Sequence, residues 1–230
     1  MINELIERSP IRIFEKSVSG GLGAGNIGVV TSKEGVGKTA FLVQLGLDKM
    51  LQDKHIVHVS FSDKVDHILG WYQNLFMELS ASKKVDNPVA VYDNICKNRI
   101  ILNFNSDKVT IEESLERVKL LISDARYNVD ALYFDGLVVD TLKKEDFDAL
   151  RRFAQALNVE IWLSLTVKQW DENGVAPSVK KFLDDMDILI DIRYKDDHIQ
   201  LEVAKDRDDV QLQNTQLKLD RSTFLLKKNK

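Results

Sequence analysis

Short apolar runs alternate with segments of helical periodicity along most of this chain. The apolar runs have the length and composition of buried strands. They are Ile27 to Thr31, Ile56 to Phe61, Arg99 to Phe104, Asp130 to Gly136 and Glu160 to Val167. The helical segments between them are Ala40 to Leu51, Val65 to Leu79, Thr110 to about Arg126 and Lys144 to Leu157. This alternation is typical of an α/β protein with a mainly parallel central sheet flanked by helices.

The carboxyl-terminal part of the chain follows a different pattern. A helix should begin near Pro177, because proline suits the first helical position. Further strands are predicted at Ile188 to Tyr194, His198 to Lys205 and Leu217 to Leu225. The short polar segment Lys195 to Asp197 lies between the first two of these strands, as in a hairpin. We therefore expect the sheet to end in an antiparallel hairpin.

Two connections interrupt the alternation. Residues Ser19 to Gly25 are rich in glycine and predict a flexible loop ahead of the first strand. The polar segment Ser80 to Lys97 is broken at Asn87-Pro88 and predicts a mobile insertion. No long Pro/Gly/Ser-rich linker divides the chain, and there is no internal repeat. We expect residues 1 to 230 to form a single domain.

Composition and charge narrow the classes of function. The chain has 230 residues, of which 44% are hydrophobic and 30% charged, so it can build one substantial core. A formal net charge of −4 gives no global attraction to nucleic acid, which leaves that partner possible but unsupported. Cys96 is the only cysteine, and no apolar run reaches membrane-spanning length. We expect a cytoplasmic protein, with its four histidines in structural or surface positions.

The most informative segment is the strand, turn and helix start that follow Ile27. Successive backbone N–H groups of the turn and the positive end of the next helix favour an anion at one point. Lys38 is expected to reach the β- and γ-phosphates of a nucleotide, and the Thr39 hydroxyl to hold Mg²⁺. The phosphate-loop motif G-x-x-x-x-G-K-S/T has glycine at the position of Ser32. The residues expected around the phosphates are Ser32, Lys33, Glu34, Gly35, Val36, Gly37, Lys38, Thr39 and Ala40.

Asp135 supplies a second feature of the same site. It follows the apolar run that begins at Ala131, and the carboxyl ends of parallel strands face a shared ligand crevice. A carboxylate there is expected to act on Mg²⁺ together with Thr39. The alternative interpretation of Asp135 is a solvated Asp-Gly turn.

Taken together, these segments resemble the RecA-type P-loop ATPase core, and most closely KaiC-like ATPases and the motor domain of DnaB-type helicases. The resemblance rests on Gly20 to Leu22, Gly37 to Phe41, the strand ending in Asp135, Met186 to Leu189 and Ala204 to Arg207. It covers nearly the whole chain in order, and the phosphate-binding turn is its most specific part. It implies a RecA-like fold that binds ATP and Mg²⁺, hydrolyses ATP and acts by nucleotide-dependent assembly.

The resemblance also implies a shared site. Lys205 and Arg207 match the family's Lys-x-Arg pair, which reaches the nucleotide of a neighbouring subunit and neutralises charge on the transferred phosphoryl group. A homo-oligomer, either a ring or a dimer, is therefore expected. The alternative for both residues is a solvated strand end among acidic neighbours.

One departure from the family pattern bears on hydrolysis. The family carries a glutamate beyond the second strand to activate the attacking water, and here the nearby carboxylate is Asp63. Asp63 is a candidate catalytic base, and the favoured alternative is a cap for the helix beginning near Val65. A catalytically impaired nucleotide-binding regulatory or scaffold protein is thus an alternative function. Thr166 is the nearest equivalent of the family's polar sensor.

Lys33 introduces a competing resemblance. The segment Lys33 to Thr39 is similar to the deviant phosphate loop of MinD- and ParA-like ATPases, in which an early lysine crosses a dimer interface. Those proteins have glycine at the position of Glu34 and lack a closing hairpin with Lys-x-Arg. A dimeric ATPase of this kind is the second alternative, and a helicase-like motor is the third.

Overall fold

The computed structural model describes residues 2–61, 64–104, 109–125, 127–168, 175–195, 198–210 and 213–228 of the chain. The helices are α1 (Ile2–Glu7), α2 (Ile11–Ser17), α3 (Lys38–Leu51), α4 (Val65–Lys83), α5 (Pro88–Cys96), α6 (Ile111–Ala125), α7 (Lys144–Leu157) and α8 (Pro177–Lys180). The strands are β1 (Ile27–Ser32), β2 (Ile56–Ser60), β3 (Arg99–Asn103), β4 (Ala131–Val138), β5 (Glu160–Thr166), β6 (Ile188–Lys195), β7 (His198–Asp206), β8 (Gln213–Leu219) and β9 (Leu226–Lys228). Short 3₁₀ turns cover Val139–Thr141 and Leu183–Asp185.

The described part of the chain forms one nine-stranded sheet in the order β3-β2-β4-β5-β1-β6-β7-β8-β9. The strands from β3 to β6 pair in parallel, and β7, β8 and β9 continue the sheet in antiparallel pairing. Strands β1, β2 and most of β4 are buried, as expected for parallel strands covered on both faces. The prediction of a mainly parallel α/β sheet with an antiparallel carboxyl-terminal end is confirmed.

Two hydrophobic clusters cover the two faces of the sheet. The first face packs against α1 to α5, and the second face packs against α6, α7 and α8. Strand β1 leads into α3 on the first face, whereas its neighbour β5 leads towards α8 on the second face. Adjacent parallel strands that lead to opposite faces leave a crevice at their carboxyl ends, which is where α/β proteins bind ligands.

Several local predictions are confirmed. Helix α7 has the predicted bounds. The predicted capping box at the start of α6 is present, because the Glu113 N–H donates to Thr110 Oγ1 (3.1 Å) and the Thr110 N–H donates to Glu113 Oε2 (2.8 Å). No helix among the described residues combines the length and apolar character that a membrane crossing requires.

The prediction of a mobile insertion at Ser80 to Lys97 is wrong. Helix α4 continues to Lys83, and α5 follows after Asn87, whose Oδ1 accepts a hydrogen bond from the Ala90 N–H (3.4 Å). Val91 and Ile95 are buried, four residues apart on one side of α5. The Asn-Pro pair is therefore a helix start, with the asparagine as cap and Pro88 at the first helical position.

The predicted last strand, Leu217 to Leu225, is also wrong in its extent. Strand β8 ends at Leu219, and residues 220–225 form a turn that leads into β9. The cause is Asp220, whose Oδ1 accepts hydrogen bonds from the N–H groups of Ser222 (3.0 Å) and Thr223 (2.9 Å). We call residues 220–225 the C-terminal turn.

Candidate functional site

The connection between β1 and α3, residues 33–37, has the backbone geometry of a tight turn. Gly35 (φ +74°) and Gly37 (φ +114°) lie in the left-handed region, which side chains other than glycine rarely adopt. Ser32 is not among the residues with positive φ, so serine replaces the expected glycine without backbone strain. We call residues 33–37 the β1–α3 loop.

The end of this loop leaves several consecutive backbone donors without a partner among the described residues. Among the described residues, no acceptor pairs with the backbone N–H groups of Gly35, Val36, Gly37, Lys38 or Thr39. These groups precede or begin α3, a helix of 14 residues whose N-terminus carries a partial positive charge. Donors that converge on the N-terminus of a helix bind anions, phosphate above all.

Lys38 lies inside the same loop. Its Nζ donates to Lys33 O (3.1 Å), Ser32 Oγ (3.2 Å) and Ser32 O (3.4 Å), and the residue is buried. Burial lowers the pKa of Lys38, while the charges of Asp135 and Glu34 act in the opposite direction. The loop therefore encloses a cation next to its free N–H groups.

Thr39 and Asp135 meet beside this cation. Thr39 Oγ1 donates to Asp135 Oδ2 (2.8 Å), and Ser164 Oγ of the intervening strand β5 donates to Asp135 Oδ1. Asp135 is only 1% exposed, so burial acts to raise its pKa, but the His58 imidazole and the two hydroxyl donors outweigh burial and lower the pKa overall. The alternative of a solvated Asp-Gly turn is wrong, because Asp135 is a buried carboxylate within β4, which continues to Val138.

His58 is a member of the site that the sequence analysis missed. It is fully buried on β2, with its Nε2 3.7 Å from Asp135 Oδ2 and its Nδ1 3.1 Å from the Tyr72 hydroxyl. Nε2 has no hydrogen-bond partner among the described residues. Gly46 of α3 makes room for this arrangement, since a Cβ there would lie 2.6 Å from the Tyr72 hydroxyl oxygen. The signal in the sequence was a lone polar residue in the run Ile56 to Val59, and Ser164 gives the same signal in β5.

Lys205 lies towards the amino-terminal ends of the parallel strands, away from the carboxyl ends that carry the β1–α3 loop. It pairs with Leu189, which pairs with Val29 near the start of β1, roughly 10 Å along the strand from Ser32. Its Nζ donates to the carbonyls of Leu183 and of Met186, the latter at 2.8 Å. The interpretation of Lys205 as a solvated strand end is wrong, because the residue is buried.

Arg207 is held by the glycine-rich loop that precedes β1. Its guanidinium donates to Gly21 O (2.7 Å), to Val18 O (3.1 Å) and to the Asp206 carboxylate. The structure thus does not bring Lys205 or Arg207 to the β1–α3 loop of the same chain. Their role at a neighbouring subunit's nucleotide stays a prediction.

Three further residues from the sequence analysis remain to be placed. Thr166 is in register with Ser32 at the carboxyl edge, and the Lys33 side chain is exposed. Asp63, the candidate catalytic base, lies outside the described residues.

The groups at this site have the chemistry to hold phosphate oxygens and a divalent cation. The free N–H groups and the Lys38 ammonium suit phosphate oxygens. The Thr39 hydroxyl and the Asp135 carboxylate are the hard oxygen ligands that Mg²⁺ prefers. One cavity of about 390 Å³ lies elsewhere, over Leu47, Leu75 and Leu225, and no residue of the loop lines it. The candidate site is the crevice at the carboxyl ends of the parallel strands.

A comparison of the chain with models of known protein families finds no match, and a comparison with curated proteins finds no similar sequence. The function therefore has to be inferred from the backbone groups and side chains described above.

Proposed function

We propose that this chain binds ATP with Mg²⁺ through residues 32–40, as a RecA-like protein of the KaiC-like kind. The observation that carries the proposal is that three features lie together at the N-terminus of α3: backbone N–H groups without an acceptor among the described residues, the enclosed Lys38 ammonium and the Thr39–Asp135 pair. Each element serves a different part of the ligand, because N–H groups and ammonium bind phosphate oxygens while the hydroxyl and carboxylate suit the metal ion.

The strand pattern favours this proposal over a MinD- or ParA-like dimer. Antiparallel strands β7 to β9 extend the sheet beyond β6, and the MinD- and ParA-like proteins lack a closing hairpin of this type. The exposed Lys33 side chain keeps the dimer alternative open to test, since that alternative requires Lys33 to act across an interface.

The chain's own groups would have distinct roles during binding and hydrolysis. Bound Mg²⁺ supplies charge neutralisation and polarises the phosphate oxygens. The Lys38 ammonium exchanges its bonds with the Ser32 and Lys33 carbonyls for phosphate oxygens. Asp135 remains ionised because its pKa is lowered, and Ser164 fixes the orientation of its carboxylate.

We further propose ATP hydrolysis coupled to assembly of a homo-oligomer. The alternative is a regulatory or scaffold protein that binds ATP without turnover, and Asp63 as the water-activating base is the point on which the two differ. Measured phosphate release that is abolished by Asp63→Ala supports the ATPase. Tight binding of Mg·ATP without turnover supports the scaffold.

Isothermal titration calorimetry of the full chain with Mg·ATP tests the proposal. Binding should be lost in Lys38→Ala and retained in Lys119→Ala, which removes an exposed lysine from the surface of α6. Loss of binding in Lys33→Ala, together with loss of a dimer, would favour the MinD- and ParA-like alternative. The absence of heat with both ATP and GTP in the unaltered protein refutes nucleotide binding.

A further inference from the structure

The C-terminal turn lies directly against the end of the β1–α3 loop. A Cβ placed on Gly37 would lie 2.8 Å from Leu219 Cδ1 and 3.2 Å from Phe224 Cδ1. The phenyl ring of Phe224 is therefore next to the residue that precedes Lys38. Phe224 is thus an aromatic side chain immediately beside the proposed phosphate site.

The C-terminal turn is fastened to α3. The Phe224 N–H donates to Asp220 O (2.8 Å), and Gln44 Nε2 donates to Phe224 O (3.0 Å). Gln44 Oε1 accepts from the Leu226 N–H (2.7 Å). One side chain of the loop's own helix thus holds the backbone on both sides of Leu225, which fixes Phe224 relative to the phosphate-binding groups.

Phe224 has an unusual backbone conformation for a large residue. Its φ of +56° is in the left-handed region, which bulky L residues rarely adopt. Hydrogen bonds at both its N–H and its C=O maintain that conformation. The ring is only partly buried, so the conformation is not explained by complete packing into the core.

Trp71 of α4 stands beside this ring. The two ring centroids are 5.6 Å apart with an interplanar angle of 88°, an edge-to-face contact. Trp71 is also partly exposed. The pair is a fixed, accessible aromatic surface adjoining the loop, whereas Tyr194 at the end of β6 is 56% exposed and its ring contact is with Arg221.

We propose that Phe224, supported by Trp71, is the surface on which the base of the bound nucleotide stacks. The inference rests on the proposed function and extends it to the base. Aromatic stacking does not depend on hydrogen-bonding edges, so it tolerates different bases. Purine nucleotides are expected to bind more tightly than pyrimidine nucleotides, with little discrimination between ATP and GTP.

Calorimetry with two ligands tests the inference, using Mg·ATP and Mg·tripolyphosphate, which lacks a base. Stacking on one aromatic side chain is worth about 1–3 kcal/mol, so Phe224→Ala should weaken ATP binding roughly 5- to 150-fold. Tripolyphosphate affinity should change less than about twofold, because the N–H groups and Lys38 are unaltered. Phe224→Tyr should retain ATP binding, and Leu120→Ala is the control for loss of an exposed apolar side chain, because Leu120 is 61% exposed on α6, on the other face of the sheet.

Each outcome decides between the inference and the proposed function. Equal weakening of both ligands in Phe224→Ala, or no weakening of ATP, overturns base stacking. Equal affinity of the unaltered protein for ATP and tripolyphosphate overturns it as well. Failure of the unaltered protein to bind either ligand refutes the proposed function instead. The ATP-induced change in tryptophan fluorescence should be lost in Trp71→Phe and should be absent with tripolyphosphate.

Discussion

Replacing His58 with phenylalanine should destabilise the protein through a single buried contact. Burial raises the pKa of Tyr72 above its ordinary value, so its hydroxyl stays protonated and can donate to His58 Nδ1 at 3.1 Å. The other ring nitrogen of His58, Nε2, lies 3.7 Å from Asp135 Oδ2. His58→Phe keeps a planar ring in the site but leaves the Tyr72 hydroxyl without its partner.

The expected magnitude follows from the burial of both groups. His58 and Tyr72 are fully buried, so loss of one partner costs the hydrogen bond and leaves the other polar group unsatisfied, about 1–3 kcal/mol in total. Tyr72→Phe should cost a similar amount. The double variant removes both polar groups together, so its cost should fall short of the sum by about 1–2 kcal/mol.

Urea denaturation measures these differences from the midpoint, provided that the slope is unchanged. Tyr133→Phe is the matched control, because its hydroxyl is buried and has no hydrogen-bond partner among the described residues. That variant should be neutral or stabilising. If Tyr72→Phe is as harmless as Tyr133→Phe, or if the double variant is additive, the contact between His58 and Tyr72 does not hold the site together.

Three further predictions test the β1–α3 loop, the C-terminal turn and the contacts of Lys205. Gly37→Ala should lower the free energy of unfolding by about 2 kcal/mol or more, because it combines a left-handed φ with the close Leu219 contact. Gly35→Ala, at φ +74° in open space, should lower it by about 1 kcal/mol, and equal shifts in the melting temperatures of the two variants would contradict this. The hydrogen bonds of Asp220, first that from Lys227, lower its pKa, so its stabilisation is fully present above its ordinary pKa near 4 and declines as pH falls towards the lowered pKa of the folded state. Asp220→Ala should cost about 1 kcal/mol at pH 7 and progressively less below about pH 4 in urea titrations, and a pH-independent loss would refute the assignment. Lys205→Ala should lower stability by about 1–3 kcal/mol by leaving two carbonyls without their donor; unchanged thermal stability with loss of ATP turnover would instead show that Lys205 serves a neighbouring subunit.

The sequence predicts those parts of the fold that local periodicity specifies. The apolar run of β1 and the glycines at 35 and 37 have strong local signals, because a buried strand and a left-handed turn each require particular residue types. The capping box of α6 could be predicted for the same reason. In α5 the local signal was ambiguous, since Asn-Pro begins a helix as readily as it breaks one, and only the burial of Val91 and Ile95 decides between them.

The sequence predicted the candidate site only in part, because the neighbours of Asp135 within the sheet depend on the order of the strands. Thr39 and Asp135 were expected to cooperate, and their 2.8 Å contact across the sheet agrees with that expectation. His58 and Ser164 reach Asp135 only because β2 and β5 flank β4, an adjacency that no periodicity encodes. Phe224 is further removed, since its position depends on Asp220 ending β8 early and on Gln44 fastening the turn.

The engagement of Arg207 constrains how any shared site could form. Its guanidinium holds the carbonyls of Val18 and Gly21, and its backbone N–H donates to Asp187 O (2.6 Å). Asp187 in turn accepts from the Ile27 N–H (2.7 Å) at the first residue of β1. To reach a neighbouring nucleotide the guanidinium must give up several charge-assisted hydrogen bonds, each worth about 1.5–3 kcal/mol, and this loss has to be recovered from phosphate contacts. Recruitment of Arg207 by a neighbour would thus free the glycine-rich loop ahead of β1, so hydrogen exchange at residues 19–25 should increase when Mg·ATP drives assembly and should stay unchanged if Arg207 remains a structural residue.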